Sequence, residues 1–262
     1  MPSDPDSKTR IVIAFLFLVI VFSVGAYYVG DLVKLQENIA AGENRTALQG
    51  ITDSGQIDEA LRQHPANKFL QLMAMATKAA NETNAAIEKL TNEIEQPAIS
   101  INSNLGGASR SDLEKLRGDL KTAEANATTF MPRYVALLKT ERDNVEQYAR
   151  SLNAGKDASS KLLDNIDKRH AEIAAFTAKM LSARTDFYRA YQNYVAFLVA
   201  ESGTYKVVNG QIIFPMQRTV DRYNVAANAM TVAAKRVAEL EETRKSLLKS
   251  QQEKWSQFVS GK

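Results

Sequence analysis

Histidine is the side chain best suited to exchange a proton near neutral pH or to hold a metal, and this chain has two, His64 and His170. His170 lies among Asp164, Asp167 and Glu172 on a predicted helix, and only Asp167, three residues away, shares its face. A zinc site needs three or four ligands, and a di-iron bundle needs paired Glu-x-x-His motifs. Here no second histidine stands at ligand spacing and the paired motif is absent. His64 precedes Pro65 at a helix start, where a capping or solvated role is expected. The absence of cysteine excludes disulfides, thiolate metal sites and a cysteine nucleophile. No GxSxG elbow, Walker loop or dinucleotide fingerprint occurs. The glycine loop NLGGAS, residues 104–109, opens a helix with no strand before it and reads as a flexible turn. The expectation is a protein that is not an enzyme, with no catalytic residue, metal or cofactor.

The one stretch with a different local chemistry is residues 205–214, YKVVNGQIIF. Asn-Gly between β-branched and apolar residues is the strongest short-range hairpin signal, because a type I′ turn needs positive φ at both central positions. An isolated two-stranded ribbon is marginal in water, so it must pack on something. Phe187, Tyr188, Tyr191, Tyr194, Phe197, Tyr205, Phe214 and Tyr223 place eight of the chain's twenty aromatic residues within 37 positions. These rings form either a local core that holds the ribbon down or a surface that contacts a partner or ligand. A ribbon that packs on one face can offer the other. The candidate contact surface is Tyr205, Val207, Asn209, Gly210, Ile212 and Phe214, with Tyr191 and Tyr194.

Long helices must position that ribbon. Only six prolines and twelve glycines punctuate the chain, and they cluster. Apolar residues at helical spacing predict helices over about 66–95, 111–153, 157–201 and 216–259. Pro97 is expected to end the first. Ser111 and Glu114, in SDLE, read as a capping box for the second, and Pro132 should kink it. The seam positions step by threes and fours, the coiled-coil period, and short connections make neighbours antiparallel. The predicted fold is all-α: an elongated antiparallel bundle of three to four long helices, 66–262, with one small β-hairpin at a bundle end. Residues 56–76 read as a single helix–turn–helix with no second copy, which excludes a repeat solenoid.

Ahead of the bundle, residues 11–30 carry no charge, and twenty helical residues rise about 30 Å, the thickness of a bilayer core. They read as a transmembrane anchor, with a cleaved signal peptide as the alternative. Residues 1–10 form a short tail, and 31–65 a stalk and linker with short helices. Lys8 and Arg10, packed close before the span, favour a cytoplasmic N-terminus and a periplasmic or extracellular bulk. Ala26 and Gly30 are a candidate pair for packing against another span. With 33 basic and 30 acidic residues, the net charge of +3 is too balanced for a nucleic-acid partner. Three Asn-x-Ser/Thr triplets begin at Asn44, Asn81 and Asn126, and no role is assigned to them.

These readings converge on a single-pass scaffold, adaptor or accessory subunit of a membrane complex, binding a protein partner or itself through the ribbon end. The alternative is a helical ligand-sensing domain that signals through a partner protein.

Overall fold

In a computed structural model, residues 56–99, 105–152 and 156–260 are described. The predicted transmembrane span with Ala26 and Gly30, the predicted N-terminal tail and the start of the predicted linker lie outside them. The described chain is 87% helical. Helix α1 is Gln56–Gln63, α2 Lys68–Ile99, α3 Arg110–Ser151 and α4 Lys156–Ala200. Strands β1, Lys206–Val208, and β2, Gln211–Ile213, form an antiparallel ribbon, and α5, Gln217–Ser260, closes the chain. None of the described helices is long and apolar enough to cross a membrane.

Side chains fix where the helices begin. Asn67 caps α2: its Oδ1 accepts from the Leu70 amide at 3.1 Å, and Pro65 stays in the preceding turn. Helix α3 starts one residue before the predicted cap, and its capping box is Ser109 with Asp112 instead of Ser111 with Glu114. The Ser109 hydroxyl accepts from the Asp112 amide at 3.1 Å, and the Ser109 amide donates to the Asp112 carboxylate at 3.2 Å. The same hydroxyl donates to that carboxylate at 2.7 Å. Both residue pairs have the required three-residue spacing, and the aspartate three positions on serves as well as the glutamate. Glu114 is engaged instead by Arg110 Nε at 2.9 Å. The hydroxyl donor holds the Asp112 carboxyl below its usual value, with the Ser109 amide adding to the effect. Ser109→Ala should therefore return the Asp112 pKa toward the ordinary 3.8, read by carboxyl-carbon NMR titration. A depressed carboxyl stabilises the fold above its unfolded pKa, so this contribution disappears as pH falls through the folded value.

Pro97 does not end α2, which runs on to Ile99. A proline has no amide to offer the carbonyl four residues back, here Glu93. Asn126 on α3 supplies the missing donor, its Nδ2 lying 2.7 Å from the Glu93 carbonyl oxygen. Asn126→Ala should cost about 1 kcal/mol in urea unfolding, and Asn126→Asp, which cannot donate, should cost at least as much. Helix α3 likewise continues through Pro132.

The described residues fall into two compact units, each assembled from pieces of several helices. One holds Lys89–Met131 and Phe176–Glu242. Its core takes Leu90 and Ile94 from α2, Leu113, Leu116, Leu120, Ala123, Ala127 and Phe130 from α3, and a broad face of α4 from Met180 to Leu198. Partner pairs descend α4 as they ascend α5: Glu201 with Arg222, Tyr194 with Tyr223, Asp186 with Arg236 and Arg184 with Glu241. These two helices are therefore antiparallel. On α5, Val220, Tyr223, Ala227, Met230 and Ala234 are half-buried and Val237 is buried.

The other unit holds the described residues up to Glu88, Pro132–Ala175 and the chain from Thr243. Its α3 stripe steps through Tyr134, Leu138, Glu141, Val145 and Ala149, whereas apolar spacing alone would also offer Leu137, which is half-buried. Glu141 is a seam position that a charged residue disguises. Its side chain is 2% exposed.

Candidate functional site

The ribbon sits where the sequence places it, and backbone geometry explains why. Helix α4 stops at Ala200, and Gly203, at φ 86°, reverses the chain in the left-handed region, which only glycine adopts freely. Asn209 and Gly210 have φ 52° and 77°, the pair of positive values that a type I′ turn requires. That turn sets the register: Val208 opposite Gln211, Val207 opposite Ile212, Lys206 opposite Ile213.

With side chains alternating across the ribbon, Tyr205, Val207, Ile212 and Phe214 share one face and Lys206, Val208, Gln211 and Ile213 the other. The first face is the packed one. Phe214 is buried, with ring centroids 5.6 Å from Phe197, 5.6 Å from Tyr205 and 5.2 Å from Tyr223. The Tyr194 and Tyr223 hydroxyls meet at 3.2 Å, and the Arg222 guanidinium stands 5.5 Å over the Phe197 ring. Nearer the turn, the ribbon rests on the 3₁₀ turn Leu105–Gly107: a Cβ on Gly106 would come within 3.3 Å of both Val207 Cγ2 and Ile212 Cγ1. The glycine loop expected to be a free turn is therefore the seat of the ribbon, and glycine permits the close approach.

Of the residues expected at a contact surface, Phe214, Tyr191 and Tyr194 are buried, and Tyr205 and Ile212 are half-buried. Asn209, Gly210 and Val207 are exposed. Sequence reasoning missed the opposite face, where Val208 is 46% exposed and Ile213 50%, with Met216 just beyond at 63%. The signal was present: once Asn209–Gly210 fixes the register, the two faces separate, and the aromatic residues at 205 and 214 identify the inner one.

Burial pushes the Tyr191, Tyr194 and Tyr205 phenols above their usual 10.0. For Tyr194 the Tyr223 hydroxyl adds to the shift. A group whose folded pKa is raised stabilises the fold fully below its unfolded pKa and loses that contribution as pH rises through the folded value. Thermal unfolding should therefore show a constant contribution from these tyrosines up to about pH 10 and a decline above it. Tyr194→Phe should flatten that decline.

The second candidate, His170, meets an unexpected partner. Its Nε2 lies 3.6 Å from Oε1 of the buried Glu141, while Asp167 accepts from Arg142 Nε at 3.2 Å. A carboxylate this buried requires polar neighbours, and the His170 imidazole is one of them. No cluster of three or more histidine, aspartate or glutamate side chains suited to a metal occurs among the described residues. His64 is exposed in the turn after α1, its carbonyl accepting from the Asn67 amide at 3.0 Å. No known protein family, curated protein or solved structure matches this chain.

Proposed function

We propose that this protein is a membrane-anchored, non-enzymatic helical scaffold or adaptor in a membrane complex. On this reading the ribbon's outward face is its contact surface. The supporting observation is the division of labour within the ribbon. One face carries Phe214 into an aromatic core, and the other holds Val208 and Ile213 out in solvent, with Met216 exposed beyond the end of β2. Apolar side chains displayed on a well-supported element are a usual mark of an interaction site. A ribbon already held in place needs little ordering on binding. The anchor rests on the uncharged stretch 11–30, and the extracytoplasmic placement on the paired cations at Lys8 and Arg10.

The test is co-purification from native membranes with residues 1–30 retained, comparing the unchanged chain with Val208→Asp/Ile213→Asp. Both positions are solvent-facing, so helicity and melting should be preserved while a stoichiometric partner is lost. Recovery of the same partner with the variant would refute the ribbon as contact surface.

A further inference from the structure

The chemistry of a ribbon partner follows from the register and from the charges around it, granted that the ribbon is the contact surface. A two-residue turn closes on a hydrogen-bonded pair, here Val208 with Gln211, and such pairs alternate with non-hydrogen-bonded ones along an antiparallel ladder. Val207 and Ile212 therefore turn their backbone N–H and C=O groups outward, to the two edges of the ribbon. No other backbone or side-chain hydrogen bond reaches either residue among the described residues. Among the described residues, nothing pairs with either edge, and an unpaired edge is a template for one more strand.

The outer face beside those edges carries Val208, Ile213 and Lys206. Lys206 and Arg218, at the start of α5, are exposed and make no ion pair among the described residues. The acidic groups nearby in sequence are engaged: Glu201 lies 3.7 Å from Arg222, and Asp221 accepts from Gln217 at 2.8 Å. Among the described residues, the outer face is therefore apolar with Lys206 as its cation, and nothing pairs with the backbone groups along the rims. Arg218 follows five residues after Ile213 in the chain.

We propose that the ribbon binds an extended segment of a partner protein by strand addition, and that this segment alternates apolar with acidic residues. Main-chain hydrogen bonds to Val207 or Ile212 hold it, apolar side chains cover Val208 and Ile213, and its carboxylates meet Lys206 and Arg218. A second copy of the ribbon is a poor occupant: pairing through β1 would bring the two Lys206 side chains close, and pairing through β2, Gln211–Ile213, would offer Lys206 no acidic partner. An anionic lipid surface matches the charge but not the edges, whose polar backbone groups find no partner in hydrocarbon.

The test uses the full chain in phosphatidylcholine nanodiscs and a synthetic library of random eight-residue peptides selected for binding. The selected peptides should alternate apolar residues with Asp or Glu. Methylating alternate backbone nitrogens on the peptide should abolish binding, and Lys206→Glu should weaken it about tenfold with helicity unchanged. Selected peptides that are basic, that lack alternation or that tolerate N-methylation would overturn strand addition, as would an empty selection. Displacement of bound peptide by phosphatidylglycerol vesicles would reassign the face to lipid and also overturn it. If the Val208→Asp/Ile213→Asp variant still loses its membrane partner while no such peptide binds, the ribbon remains the contact surface and only the strand-addition mode falls.

Discussion

Phe214→Ala should destabilise the protein by about 3–5 kcal/mol, the usual range for removing a fully packed phenylalanine. The ring is the keystone between ribbon and helices. It lies within 5.6 Å, centroid to centroid, of Phe197 on α4, Tyr205 before β1 and Tyr223 on α5. Each such pair adds about 0.5–1.5 kcal/mol beyond area burial, and those contacts vanish together because one ring makes them all. A two-stranded ribbon is marginal alone, so the loss should appear first as fast amide exchange at Val208 and Gln211. Urea unfolding of the full chain, with hydrogen exchange on the same sample, separates the local loss from the global one. Phe214→Leu, which keeps most of the apolar volume, should cost markedly less. Protected ribbon amides in Phe214→Ala would mean that the seat on Gly106 suffices and that the aromatic cluster is not the support.

The second large effect is expected at Arg184 and Glu241. Their side chains are 7% and 13% exposed, and Arg184 Nη2 lies 3.2 Å from Glu241 Oε1 between α4 and α5. Withdrawing two charges from water costs several kcal/mol per ion, which their attraction roughly offsets when the geometry is good. Removing one partner takes away the attraction while the other charge remains largely withdrawn from water. Arg184→Met or Glu241→Leu alone should therefore destabilise by about 3 kcal/mol. The double substitution should lie within about 1 kcal/mol of the unchanged protein, because an apolar pair of similar volume has no charge to desolvate. A double-mutant cycle in urea measures this directly. If the two single effects simply add, the residues are not coupled across these helices.

Much of the architecture was legible because it rests on local rules. Helical spacing marked four long helices to within a few residues, and Asn209–Gly210 fixed the ribbon, its turn type and its register. What sequence reading missed depended on contacts between distant segments. Pro97 has the local character of a helix end, and only Asn126, 29 residues on, supplies the donor that lets α2 continue past it. Glu141 has the local character of a solvent-facing residue, yet it occupies a seam position because His170 arrives beside it from α4. At the ribbon, the sequence identified the element and left its aromatic cluster as either a local core or a contact surface. The candidate surface residues were drawn mainly from that aromatic face. Those rings are drawn inward by Phe197 and Tyr223, which leaves Val208, Ile213 and Met216 outside. Aromatic character therefore marked the support, and the less conspicuous alternate residues are the ones left exposed.

Site-specific photocrosslinking in native membranes tests the central claim most directly. A benzophenone amino acid at Val208, on the ribbon's outer face, is compared with the same group at Val225, exposed on α5. The account predicts a single discrete crosslinked partner from position 208, weakened by Lys206→Glu, and none from position 225. Equal crosslinking from both positions, or a partner reached only from 225, would contradict the ribbon as the working surface.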